Sequence, residues 1–237
     1  MKKTSLNFTL FLLFLGLTAC GGKPIEIVLF IATQISSSPA PQEVVATLTS
    51  TPQPTPTFNP TPTLEVPKPV RRAFDTFVDL IRTGDAEKIV GIFAEQELAL
   101  RVVYQPSNNP GFVSTINGIA TYFLLPYRIA NNHGFLAHNY LSGGLFFNLQ
   151  LGDIVQVIWG DGYYEDFEVL EVQAYQALSP KSSSSRFVNL TTGDNLSASS
   201  LFTRVYGGSY HTTLQTCIAQ GDEDSWGRIF IIAPPTE

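Results

Sequence analysis

Val155-Gln156-Val157-Ile158-Trp159-Gly160-Asp161-Gly162, answered by Phe167-Glu168-Val169-Leu170-Glu171, is the stretch whose reading decides the fold. Val155, Val157 and Trp159 alternate onto one face, Asp161-Gly162 is a tight-turn pair, and Phe167, Val169 and Glu171 resume the alternation on a returning strand. Short β-rich runs of the same kind recur at Ile119 to Leu125, Gly134 to Asn139, His211 to Cys217 and Arg228 to Ile232. Many short strands with little helix between them predict an all-β domain, a barrel in preference to a sandwich.

Upstream the period changes. Phe74, Phe77, Val78 and Ile81 repeat at i, i+3, i+4 and i+7, the apolar face of a helix that ends at Gly84. Asp85 is placed to cap a second helix carrying Ile89, Ile92 and Phe93. Residues 71–100 therefore read as a small helical segment ahead of a barrel domain at 101–237. Before them, the stretch from Ser36 to Val70 holds nine of the chain's 16 prolines and many threonines. Such sequence stays extended at about 3.1 Å per residue, so these residues reach roughly 100 Å as a stalk.

The N-terminus carries a basic start at Lys2 and Lys3 and an apolar run from Leu6 to Leu17. It closes on the small-residue site Leu17-Thr18-Ala19-Cys20. This resembles a bacterial lipobox, which implies a lipoprotein signal peptide at 1–19, acylation of Cys20, and a lipid-anchored Pro/Thr-rich linker at 20–70. Two or more acyl chains anchor a protein stably, so the expected location is the extracytoplasmic face of the bacterial cell membrane, tethered and not spanning. The run Ile25 to Ile35 is too short to cross a bilayer. Unacylated, two cysteines in a secreted chain would instead suggest one disulfide. Loss of Lys2 and Lys3 with the signal takes the net charge from −6 to about −8, which argues against nucleic acid as a partner because that affinity rests on neutralising phosphates. No internal repeat marks a solenoid or a second domain.

Acylation of Cys20 leaves Cys217 as the remaining thiol and the candidate nucleophile. A cysteine attacks carbonyls as thiolate, and with an ordinary pKa near 8.5 it needs cationic help at neutral pH. Three histidines are available. His211, six residues from Cys217 on the same strand, would lie roughly 20 Å away. His133 and His138 are an odd number of residues apart, so in extended chain they face opposite ways and at most one points at the thiol. Arg228 follows Cys217 by 11 residues across the acidic turn Asp222-Glu223-Asp224. A hairpin of that length returns its guanidinium beside Cys217, where it can bind an oxyanion; paired with Asp222 or Asp224 it would instead be a surface arginine. The acidic turn reads as a solvated loop pointing away, and without EF-hand spacing it predicts no metal. No cofactor is expected.

Thr213-Leu214-Gln215-Thr216-Cys217, with the order His138, Cys217, Arg228, resembles the TLxTC motif and catalytic order of sortases, the cysteine transpeptidases of bacterial cell surfaces. The resemblance spans roughly Gly111 to Pro234, and Leu151-Gly152-Asp153 followed by Ile154 to Val157 matches a turn and strand common in sortase barrels. Papain-like enzymes place cysteine before histidine, and the caspase and L,D-transpeptidase patterns are absent. The resemblance implies a sortase-like eight-stranded β-barrel and a cysteine-type transpeptidase of the hydrolase class. It implies Cys217 as nucleophile, His138 as acid and base, and Arg228 as oxyanion donor. Its partners would be surface proteins or peptides bearing a sorting signal and an amine acceptor, a peptidoglycan precursor or a pilin lysine. Ala174 to Gly208 occupies the region where sortases read the sorting signal. Sortases usually carry a transmembrane anchor; a lipid anchor here would be a departure. Two other readings stay open: a non-catalytic lipid-anchored envelope binding module with Cys217 idle, and a cysteine peptidase that releases the acyl group to water.

Overall fold

The computed structural model describes residues 68–125, 129 and 131–236; Cys20, the signal and nearly all of the linker lie outside them. Helix α1 (Lys68–Ile81) comes first and the strands follow as β1 (Ile89–Ala94), β2 (Leu98–Tyr104), β3 (Ile119–Tyr122) and β4 (His133–Leu136). A 3₁₀ segment, Ser142–Asn148, leads to β5 (Ile154–Trp159), β6 (Tyr164–Glu168) and β7 (Glu171–Ala177). Next come β8 (Arg186–Asn189), β9 (Asn195–Ser197), helix α2 (Ala198–Tyr206), β10 (Thr212–Gln220) and β11 (Glu223–Ala233).

One sheet contains all eleven strands among the described residues, in the order β6-β5-β1-β2-β3-β4-β10-β11-β7-β8-β9. The first eight curl into a barrel. Its ladder is open between β6 and β11, but the chain beyond β11 stitches that seam: Phe167 bridges Pro235, Glu168 N–H donates to Pro234 O at 3.0 Å, and Thr236 N–H donates to Asp166 O at 2.9 Å. Such closure protects edge groups that would otherwise pair with other chains. The interior is lined by alternate residues of the ring strands, among them Ile92, Leu100, Phe135, Val155, Val157, Phe167, Leu214, Ile229 and Ile231, as the period of two requires. Phe135 is fully buried there, so its truncation to alanine is expected to destabilise the fold by about 3–5 kcal/mol.

The β5–β6 hairpin forms as its sequence predicts. Val155 and Val157 pair with Phe167 and Glu165, and Gly162 takes the positive φ of 95° that the tight turn needs, with its N–H bonded to Trp159 O at 3.0 Å. Helix α1 also matches expectation, packing Phe74, Val78 and Ile81 on the outside of the barrel against Phe93 and Ile158.

The expected second helix is not there. Asp85 caps only a turn, accepting Glu87 N–H at 3.0 Å, and Ile89, Ile92 and Phe93 belong to β1, paired on one side with β2 and on the other with β5. Ile92 and Ala94 face the barrel interior, while Phe93 and Val90 face α1. A strand covered on both faces loses its polar alternation, and its apolar run then imitates a helical period.

Strands β7, β8 and β9 leave the ring beyond β11 and carry α2 back over the outside of the sheet. Ser197 caps α2 through its side chain, which accepts Ser200 N–H at 3.1 Å. Leu201, Val205 and Tyr206 of α2 then pack with Tyr175, Phe187 and Phe230 in a second core outside the barrel.

Candidate active site

Cys217 lies on β10 directly opposite Arg228 on β11 in an antiparallel register, so the hairpin returns the arginine beside the thiol position. On its other edge β10 pairs in parallel with β4, with Thr212 opposite His133 and Gln215 opposite Leu136. That register is continued past the end of β4. Ala137 N–H donates to Gln215 O at 3.3 Å, and the Thr216 hydroxyl donates to Ala137 O at 2.8 Å. The next step in the same register sets His138 level with Cys217. His138, Cys217 and Arg228 thus occupy one row across three adjacent chain segments spaced about 4.8 Å apart.

They also share a face. Leu214, Phe135 and Ile229 point into the barrel, and alternation sends Cys217, His138 and Arg228 to the opposite side. This is the face on which Gln215 accepts the Tyr206 hydroxyl at 2.6 Å and Phe230 meets α2. All three are enclosed, with relative exposures of 6% for His138, 7% for Cys217 and 0% for Arg228. The buried position of Arg228 rules out the surface-pair alternative.

Local chemistry fixes each member. Arg228 Nη1 donates to Ser225 O at 2.8 Å and to Gly227 O at 2.7 Å. Burial pulls its pKa down to about 10 while Glu223 acts in the opposite direction, so the guanidinium stays cationic at neutral pH. Glu223 sits at the partly exposed tip of the β10–β11 hairpin. Its carboxylate accepts the Ser225 N–H and hydroxyl, at 3.2 and 2.7 Å, and pairs with Lys181 at 3.6 Å. Those contacts lower its pKa, the Ser225 hydrogen bonds most.

The backbone at His138 is clamped by a tight turn. Leu141 and Gly143 N–H groups both donate to His138 O, at 3.0 and 2.9 Å. Gly143 comes so close that a Cβ there would meet Thr216 Oγ1 at 2.3 Å and Ala137 O at 2.6 Å, which leaves glycine as the residue that fits. The His138 ring stacks on Tyr140, a neighbour the sequence reading did not single out.

The other histidines have separate surroundings. His133 points into the barrel side, with Nδ1 3.0 Å from the Tyr122 hydroxyl and Nε2 3.1 Å from the Tyr210 hydroxyl. Tyr210 donates onward to Glu165, so Nε2 is the protonated nitrogen and Nδ1 accepts from Tyr122. Burial pushes the His133 pKa down to about 4, with Glu165 opposing and His211 reinforcing the shift. His211 sets Nδ1 2.7 Å from Ser209 O and Nε2 3.1 Å from Val205 O, tying β10 to the end of α2.

With Cys217 reduced, the row presents a nucleophile between an imidazole and a fixed cation, the three functions that acyl transfer needs. Among the described residues no group of three or more His, Cys, Asp or Glu side chains is placed to hold a metal ion, and no helix is long and apolar enough to cross a membrane.

No protein-family model matches the chain, and no curated protein matches it. Solved structures do. Sortase A of Listeria monocytogenes is 15% identical, over 65% of this chain and 89% of that one, with a TM-score of 0.38. Sortase C-1 of Actinomyces oris is 14% identical over 75% and 90%, with a TM-score of 0.41, and a lid mutant of Corynebacterium diphtheriae sortase A is 11% identical over 71% and 92%, with a TM-score of 0.40.

Proposed function

We propose that this chain is a sortase-like cysteine transpeptidase, and the observation that carries the reading is the single row of His138, Cys217 and Arg228 on one face. The TLxTC-like run that ends at Cys217 supports it independently. Reduced Cys217 attacks the carbonyl carbon of a peptide bond in a sorting signal. His138 protonates the departing amine as the C–N bond breaks, leaving a thioester. An acceptor amine then attacks that thioester, gives its proton to His138 and releases the thiolate. Arg228 stabilises the oxyanion in both tetrahedral intermediates. The client is a surface protein or peptide bearing a sorting signal, and the acceptor is a peptidoglycan precursor or a pilin lysine. Acylated Cys20 holds the domain at the extracytoplasmic face of the membrane at the end of its Pro/Thr-rich stalk.

The alternative is an envelope binding module that keeps the barrel while Cys217 stays idle. One set of mass measurements separates the alternatives. The full chain, with and without reductant, is incubated with a library of sorting-signal peptides and with or without amine acceptors. A thioester on Cys217 that resolves onto the amine supports transfer, and release to water alone makes the protein a peptidase. Reduced Cys217 that alkylates normally yet forms no thioester leaves the binding module. A map of the non-reduced protein tests the anchor: acyl mass on Cys20 supports it, and a peptide joining Cys20 to Cys217 refutes it.

A further inference from the structure

The turn after His138 delivers a second aromatic ring to the site. Tyr140 stacks on the imidazole with ring centroids 5.1 Å apart and an interplanar angle of 26°. The stack is built by the chain itself: the two N–H bonds to His138 O close the turn, and Tyr140 N–H is bonded to Asn139 Oδ1 at 3.1 Å. The Asn139 amide reaches across to the Asp224 carbonyl at 3.3 Å, which ties this turn to the β10–β11 hairpin that carries Cys217 and Arg228. Tyr140 keeps 38% of its surface exposed.

We propose that Tyr140 is a positioning residue for His138: its ring holds the imidazole in the plane facing Cys217 and favours the protonated ring through its π face. The proposal rests on the catalytic reading of His138. An offset stack constrains ring rotation, and an electron-rich phenol face attracts a cation but not a neutral ring to the same degree. The titratable and charged groups on the elements beside this turn are Cys217 on β10, Arg228, Glu223 and Asp224 on β11, and Tyr140 on the turn itself. Arg228 works against an imidazolium, the cysteine thiolate and the two carboxylates work for it, and the stack adds to the second group. Protonated His138 is the form that sustains the Cys217 thiolate and later protonates the leaving amine.

The test uses the reduced full chain and its Tyr140→Leu and Tyr140→Phe variants. Proton–carbon NMR of the imidazole ring, assigned by its loss in His138→Gln, follows the titration of His138. Steady-state kinetics give kcat and KM across pH. In Tyr140→Leu the protonation constant of His138 weakens by about two- to fivefold, kcat falls in proportion and KM holds, while Tyr140→Phe recovers both values. A His138 titration unchanged in Tyr140→Leu overturns the proposal, as does a Phe variant as impaired as Leu. A rise in KM at constant kcat would make Tyr140 a substrate contact and overturn it too. Should no turnover be found in the unaltered protein, the titration alone decides Tyr140, and that failure belongs to the transpeptidase reading.

Discussion

Acidification should destabilise this protein through His133. Its folded pKa is about 4 against an ordinary 6.5, so the unfolded chain takes up a proton on this ring at a pH where the folded barrel does not. A base whose folded pKa is depressed contributes its full stability above 6.5 and loses it as pH falls toward 4. Linkage over that interval gives a loss of about 2 kcal/mol between pH 7.5 and pH 5, rising to about 3.4 kcal/mol below pH 4. The physical cause is the partly buried site: Trp159 and Phe167 pack edge-on to the ring, and both nitrogens are already committed to tyrosine hydroxyls. Urea unfolding of the wild type and of His133→Gln at pH 7.5, 6.5, 5.5 and 5.0 isolates the effect, because glutamine can both donate and accept but does not titrate. With a slope of about 2 kcal/mol per molar urea, the wild-type midpoint should fall by roughly 1 M more than that of the variant. Parallel pH dependences in the two proteins would refute the reasoning.

Two further outcomes bear on the site. Arg228→Ala should lower kcat for peptide cleavage by about 100-fold, as loss of an oxyanion donor does, and Arg228→Lys should recover little because one ammonium cannot both hold the Ser225 and Gly227 carbonyls and reach substrate; undiminished turnover in Arg228→Ala would remove it from the site. His138→Ala should be about as damaging, whereas His211→Ala and His133→Gln should keep most of the activity at pH 7.5, since His211 serves the α2 carbonyls and His133 the barrel interior; equal losses at all three would contradict the row.

What the sequence made legible depended on how local the pairing was. The β5–β6 hairpin announced itself through Val155, Val157, Asp161-Gly162 and Phe167, and the β10–β11 hairpin through Cys217, the acidic turn and Arg228, because turn and strands are contiguous. Helix α1 showed one apolar face, which a helix lying on a barrel must have. Strand β1 was misread because Ile92 faces the barrel core while Phe93 faces α1, and nothing in the run says that both sides are covered. Helix α2 was missed inside a serine-rich stretch, although Ser197 ahead of Leu201 and Val205 is a cap followed by an i, i+4 apolar pair. The alignment of His138 with Cys217 was beyond local reading. It arises from a parallel pairing between segments 79 residues apart, and sequence spacing alone does not set such a register. The close approach at Gly143, where a Cβ would meet Thr216 Oγ1 on the neighbouring strand, was beyond local reading for the same reason.

The most direct test of the account is covalent labelling of the reduced protein at neutral pH with a peptidyl vinyl sulfone, read by intact mass and peptide mapping. The account predicts one adduct, located on Cys217, abolished in Cys217→Ala and strongly slowed in His138→Ala. Labelling that persists in Cys217→Ala, or a reduced Cys217 that reacts no faster than an ordinary exposed thiol, would contradict it.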